Sequence, residues 1–235
     1  MSSIKVLVID SGNTFVKWGL HNGNWVLKEK ICHSQFLAMD DVFYNLPVPD
    51  IIVISHVSSE SIRNKLSMLT SIWCVKPYWI LAQSFQCGVT NEYSEPSQLG
   101  CDRWAALIAA RQLQKDSCIV VNVGTAMTVD ALSASGHFLG GIIIPGFYAM
   151  LNGLRAETQL TCTLPSDYHS FPRNTNDAIH SGIIQGLLGA IERMHRLISQ
   201  HNSSIGNCII SGGGAYQLIS YLKISFTHVE NLVMD

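Results

Sequence analysis

The sequence predicts an α/β protein built twice over, as two domains with a cleft between them, and two observations carry that prediction. First, Ile9-Asp10-Ser11-Gly12-Asn13-Thr14 is echoed about halfway along by Val121-Asn122-Val123-Gly124-Thr125-Ala126. Each copy follows a β-branched apolar run and sets an Asp or Asn two residues before a Gly, with a Thr close after, which is the pattern of a strand, a tight turn and a returning strand. Second, the order of predicted elements recurs: three strands, then alternating helix and strand, in each half.

Asp, Asn and Gly are common in β-turns for conformational reasons alone, and either hairpin by itself needs no ligand. Two in matching places are harder to explain that way. Glycine lets the backbone approach an anion closely, turn N–H groups and hydroxyls can hold phosphate oxygens, and a nearby carboxylate can hold the counter-cation. The pair reads as a duplicated nucleotide clamp with a phosphate tail between its halves.

Taken in order, strands are expected at 5–10, 16–21 and 25–31, with Asn22-Gly23 a strong hairpin signal before the third. Polar 34–45 reads as a helix, continuous apolar 50–55 as a buried strand, 59–69 as a helix, and a short strand falls near 79–81. A loop over 86–99 leads into a helix over 103–114, and Lys115-Asp116-Ser117 divides the domains into 1–116 and 117–235. The second half gives strands at 118–122, 128–133 and 137–144, a helix over 178–199, a strand at 208–211, the turn Gly212-Gly213-Gly214 and a helix over 216–222. Residues 230–234 can add an edge strand or fray. This order, together with the doubled hairpin, describes a duplicated actin-like ATPase (ribonuclease H-like) fold.

Composition narrows the classes of function. Of 235 residues 47% are hydrophobic and 14% charged, and the net charge is −2, so there is ample apolar material for a core and no basic stripe for nucleic acid. The seven cysteines are odd in number and contain no C-x-x-C pair, which fits reduced thiols in a cytoplasmic protein and neither a disulfide framework nor a zinc site. Met1-Ser2-Ser3-Ile4-Lys5 leads straight into a strand, so no secretion signal is expected. The most apolar helical stretch, 178–191, contains His180 and Gln185 and is shorter than the roughly 20 residues a bilayer needs.

Four further motifs carry or imitate chemistry. Gly100-Cys101-Asp102-Arg103 stands where a Pro-containing loop turns into a helix. Asp102 there suits a helix N-cap, and beside the fixed cation of Arg103 it also suits a base that takes a hydroxyl proton. Gly140-Gly141 to Pro145-Gly146 encloses a strand and reads first as packing. Thr175 or Asn176 caps the long helix, in which Gly182, Gly186 and Gly189 cost helix stability and so imply close backbone packing, against a partner subunit's helix or this chain's own second helix. The Gly212 to Gly214 turn can lie against adenosine because it offers backbone without side-chain bulk. His56, His169 and His195 stand alone, without metal-ligand spacing, and read as surface or core residues.

In this order and at these spacings, Asp10-Ser11-Gly12-Asn13-Thr14 with Lys17, Gly100-Cys101-Asp102-Arg103, Asn122-Val123-Gly124-Thr125-Ala126 with Thr128 and Asp130, Gly140-Gly141 to Pro145-Gly146, and Asn174-Thr175 resemble the motif set of the type III pantothenate kinase family. The resemblance runs over nearly the whole chain. It implies a homodimeric actin-like kinase that phosphorylates the terminal hydroxyl of pantothenate in the first step of coenzyme A biosynthesis. It further implies ATP contacts from Asp10, Ser11, Gly12, Asn13, Thr14, Phe15, Val16, Lys17 and Thr125. Pantothenate contacts are implied for Tyr93, Gly100, Cys101, Asp102, Arg103 and Thr175, with Asp102 as proton acceptor and Thr175 reaching the substrate of the partner subunit.

Mg2+ accompanying ATP would be held through Asp10, directly or by water, with Asp130 a further candidate. Where many members carry an Asp that binds a monovalent cation, this sequence has Asn122, which keeps a carbonyl oxygen but loses the charge. That departure argues against a strict need for K+ or NH4+. Two rival functions share the scaffold: a non-catalytic nucleotide-binding regulator, for which Asp102 and Arg103 would be superfluous, and a kinase or phosphatase of another small substrate.

Overall fold

The first three strands form as expected, as β1 Val6–Ser11, β2 Phe15–His21 and β3 Trp25–Cys32, an antiparallel meander. The structure is a computed structural model, and it describes residues 3–158, 166–201 and 206–235. After α1 His33–Ala38 the chain returns as β4 Ile51–His56, parallel to β1, then α2 Glu60–Thr70 and the short β5 Tyr78–Trp79. Among the described residues the sheet order is β3-β2-β1-β4-β5.

Helix α1 is shorter than the sequence suggests. Asp40 and Asp41 favour turns over helix interiors, and the chain bends so that Phe43 joins Phe36 in the core. Phe43 packs between Trp18, edge-on at 5.7 Å, and Trp73, stacked at 5.8 Å. Leu7, Ile9, Ile52 and Ile54, alternate positions of β1 and β4, point into the same cluster as Ile62 and Leu66 of α2.

Beyond this point the expected loop contains β6 Phe85–Gln86 and β7 Val89–Asn91, and a 3-10 turn at Pro96–Gln98 precedes α3 Cys101–Leu113. The second sheet holds β8 Cys118–Val123, β9 Ala126–Leu132, β10 His137–Pro145, β11 Asn207–Ser211 and β12 Phe226–His228, in the order β12-β11-β8-β9-β10-β7-β6. Read from β10, it repeats the first sheet: a meander, then two parallel strands beside its first member. The repeat foreseen in the sequence is thus present as topology. The pair β6 and β7 is an addition, hidden from sequence reading because strands of two and three residues show no periodicity.

Two compact units result, one of residues 1–84, 94–109 and 233–235, the other of 85–93 and 110–232. The division falls inside α3 and not at residue 116, because one continuous helix carries the chain past it and β6-β7 belongs to the second sheet. In the second unit, α4 Phe147–Glu157 and α5 Thr175–His201 flank the sheet, followed by α6 Tyr216–Ile219. Helix α5 buries Ile183, Ile184, Leu187, Leu188, Ile191 and Ile198, the spacing of one apolar stripe, against Ile119, Val121 and Val129. Its cap is Asn174, one residue before the expected Thr175 or Asn176: Asn174 Oδ1 accepts the Asp177 N–H at 2.9 Å. Residues 230–234 form no further strand; Leu232 and Met234 are buried instead. No helix of the described residues is long and apolar enough to cross a membrane.

Candidate active site

The β1-β2 turn divides its residues between two environments. Gly12, Asn13, Thr14 and Phe15 form the open tip, while Ser11 and Val16 are buried beneath it. Gly12 N–H donates to Phe15 O at 3.1 Å and closes the tip. Of the residues implied as ATP contacts in this hairpin, Asn13, Thr14 and Phe15 present side chains to solvent and Lys17 does so in part, whereas Ser11 and Val16 would act through backbone and support.

Asp10 and Lys17 are cross-strand partners, and this register brings Lys17 Nζ to 3.3 Å from Asp10 Oδ2. Asp10 is only 5% exposed. Burial raises its pKa, Lys17 opposes that shift, and the neighbouring charge of Asp102 adds to it.

Asp102 lies in the first turn of α3 and not at the cap. Its Oδ1 accepts the Arg103 N–H at 2.8 Å, and the Trp104 N–H goes to Gly100 O at 2.9 Å. A negative side chain in the first turn is favoured by the helix dipole, yet burial prevails and the pKa of Asp102 is raised; Arg103 and Lys17 pull it back. Arg103 is itself buried. Two carboxylates that feel each other, both pushed toward neutrality, lie close to one lysine and one arginine. With both acids ionised, Asp10, Asp102, Lys17 and Arg103 sum to zero charge, so the site does not draw a free cation; the Asp10 oxygens fit a divalent cation that arrives already bound to a nucleotide's phosphates.

Gly100 and Cys101 follow from the same turn. The Cys101 thiol accepts the His56 N–H at 3.1 Å and donates to the His56 carbonyl at 3.3 Å. Burial raises the Cys101 pKa, which disfavours the thiolate that a nucleophile needs, and its hydrogen bonds tie it to the β4 backbone. Sequence reasoning left His56 aside. No local pattern marks it; the parallel register of β1 and β4, which only the fold sets, places His56 beside Ser11.

In the second unit the β8-β9 turn is tighter, with Gly124 and Thr125 exposed at its tip and Gly124 N–H donating to Ala126 O at 3.0 Å. Its underside is braced by glycine. Gly146 donates its N–H to Thr125 O at 2.9 Å, and a Cβ on Gly146 would collide with Gly124 O. Gly212, at φ +96°, lies against Val123 O and the Asn122 side-chain oxygen, and Gly214 N–H donates to Val123 O at 2.9 Å. These glycines therefore shape the second loop by close approach, a role that the sequence reading of 140–146 as packing only half captures.

Tyr93 packs on Phe138 at 5.2 Å between ring centres, and Asp130 is buried within the second sheet. Thr175 begins α5 and is exposed. Among the described residues, nothing outside the local helix backbone comes within 4 Å of where a Cβ on Gly182, Gly186 or Gly189 would stand, so no other described element fills those positions. His169 lies 3.6 Å from Asp177, and His195 Nε2 meets Gly206 O at 2.6 Å. Among the described residues no cluster of His, Cys, Asp and Glu could hold a metal by itself, and all six described cysteines are free. Cys162 lies outside the described residues.

This architecture is the fold of the actin-like class. The structure of MreB5 of Spiroplasma citri bound to ADP matches with a TM-score of 0.52 at 9% identity, covering 98% of this chain and 93% of that one. A Campylobacter jejuni protein described as a Baf family transcriptional activator matches at 0.62 and 20% identity, over 97% of this chain and 92% of its own. At such identities the likeness concerns the fold alone. Sequence goes further: the family model "Type III pantothenate kinase" matches residues 6–197. The type III pantothenate kinase of Nitrosomonas eutropha is 44% identical over 98% of this chain and 91% of its own length, and that of Nitrosospira multiformis 42% over 98% and 88%. The chain belongs to the type III pantothenate kinase family.

Proposed function

We propose that this chain transfers the γ-phosphoryl group of ATP to the terminal hydroxyl of pantothenate, giving 4'-phosphopantothenate and ADP, the first step of coenzyme A biosynthesis. The observation that carries the reading is the buried pair Asp10 and Asp102, electrostatically coupled and flanked by Lys17. A non-catalytic nucleotide switch has no use for the second acid.

Asp102 accepts the proton as the hydroxyl oxygen bonds to the γ-phosphorus and the bond to the ADP oxygen breaks. Gly100, Cys101, Arg103, Tyr93 and Thr175 are the pantothenate contacts in this reading; residues 10–17 and Thr125 are the ATP contacts. Since phosphoryl transfer passes through a loose transition state, positioning and charge neutralisation supply most of the acceleration. Asp10 would hold Mg2+ directly or through water, and the ion would supply charge neutralisation of the phosphates. At Asn122 the donors are neutral oxygens, so K+ or NH4+ is at most a weak ligand there.

The enzyme acts as a cytoplasmic homodimer in this reading. Supporting the second copy are the open glycine face of α5 and a cavity of about 610 Å³ lined by Pro145, Met150, Leu154, Ile179, Gly182 and Ile183. Sedimentation equilibrium separates dimer from monomer. The activity is tested by steady-state ADP release with Mg-ATP and pantothenate, with the product identified by mass. Pantothenate-dependent ADP release is expected; release indifferent to pantothenate would overturn the proposal.

A further inference from the structure

Strand β4 ends at His56, and the parallel register places it beside Ser11. Three bonds leave this residue in two directions. Its Nδ1 is 3.1 Å from Ser11 Oγ, and the Val57 N–H donates to Ser11 O at 3.0 Å, so β4 grips the base of the β1-β2 turn from behind. Its peptide N–H and carbonyl hold the Cys101 thiol. Ser11 follows Asp10 and Cys101 precedes Asp102; one residue is thus bonded to the chain neighbours of both acids.

Ser11 is fully buried, so its hydroxyl serves the turn and not a ligand. The ring of His56 stands edge-on to Trp79 at 5.9 Å, and the guanidinium of Arg63 lies over the same Trp79 ring, 4.2 Å from its centre. Burial first and Arg63 second depress the His56 pKa, Glu60 opposes them, and His33 adds a smaller lowering. The ring is therefore neutral near pH 7. With the proton on Nδ1 it donates to Ser11 Oγ and fixes that side chain in one rotamer.

We propose that His56 is a positioning residue that serves the two halves of the reaction separately: its imidazole sets the nucleotide turn through Ser11, and its backbone sets the substrate turn through Cys101. This rests on residues 10–17 being the first ATP loop. The separation makes it testable, because a side-chain substitution removes the Ser11 bond and leaves the Cys101 bonds in place. His56 also lines a cavity of about 220 Å³ with Arg63, Trp79 and Gly100, which gives a replacement side chain room to settle.

The experiment compares His56→Leu, His56→Asn and Ser11→Ala in the full chain. Leu fills the space without a polar atom; the Asn amide can reach the place of Nδ1. Expected for His56→Leu is a rise of about tenfold in both the KM for ATP and the dissociation constant of Mg-ATP measured without pantothenate, the size of one lost hydrogen bond. The pantothenate KM stays within about twofold. His56→Asn should recover most of the loss, and the double variant His56→Leu, Ser11→Ala should be no worse than either single one.

Unchanged nucleotide affinity in His56→Leu, losses that multiply in the double variant, or equal damage to both KM values would each overturn the proposal. Should His56→Leu fail to fold, Ser11→Ala and His56→Asn decide it: an Ser11→Ala protein with normal nucleotide affinity refutes it. A wild-type chain that binds Mg-ATP yet does not phosphorylate pantothenate would sink the function and leave the binding test intact.

Discussion

Replacing Gly146 with Ala isolates the contribution of close backbone approach to the second loop. Gly146 has ordinary extended angles, φ −75° and ψ 179°, which alanine adopts without strain. Its only obstacle is space. The added Cβ would overlap Gly124 O, approach Thr125 O to 2.9 Å and Thr125 C to 3.2 Å, all of them backbone atoms that cannot swing aside as a side-chain tip can. Relief to ordinary contact distance requires the turn to withdraw by roughly 1 Å. That withdrawal also stretches the Gly146 N–H bond to Thr125 O, now 2.9 Å.

Overpacking of this kind costs about 1–3 kcal/mol, which for a chain of this size lowers Tm by roughly 2–12 °C. The displaced Thr125 is a proposed ATP contact, and a misplacement of about 1 Å can cost up to about a hundredfold in rate. Thermal unfolding by circular dichroism and steady-state kinetics with varied ATP measure the two effects. A Gly146→Ala protein with wild-type Tm and wild-type ATP kinetics would refute the reasoning. So would a loss of stability with nucleotide kinetics untouched, since it would separate the brace from the loop.

Three further outcomes follow from Asp102 and from Asn122. Asp102→Asn should lower kcat by about 10²–10⁴-fold while Mg-ATP affinity stays near wild type, and near-normal turnover would remove Asp102 as the base. Because burial raises the Asp102 pKa and a base must be ionised, kcat should fall with decreasing pH through a value above the usual carboxylate range; a limb at or below that range would contradict the burial. Activity in buffers free of K+ and NH4+ should stay within about threefold of that in their presence, because neutral oxygens at Asn122 bind such ions weakly; a strict requirement would show that other groups supply the charge.

Much of the fold can be read directly from short-range pattern. The apolar runs of β1, β4 and β8, the Gly-centred turns after β1 and β8, and the stripe of α5 are local signals, each dictated by sterics or by burial of one face. The same holds for the motifs: Asp10, Lys17, Asp102 and Arg103 stand out by residue type and spacing, and the doubling of the strand order announces itself through repetition. Even the departure at Asn122 is visible as a single letter.

What needed the folded chain was every relation between residues distant in sequence. That Ser11 is buried while Asn13 is exposed depends on what β4 lays behind the turn, and His56 looked like an isolated histidine until the register set it on Ser11. Gly146 read as a strand-end glycine because nothing local marks the Gly124 carbonyl against it. The raised pKa values of Asp10 and Asp102 likewise come from burial, joined at Asp10 by the charge of Asp102, quantities set by three-dimensional packing. Torsional preference and hydrophobic period act over a few residues and are written in the chain. Desolvation, steric contact and Coulomb interaction act through space, so only the tertiary structure could decide them.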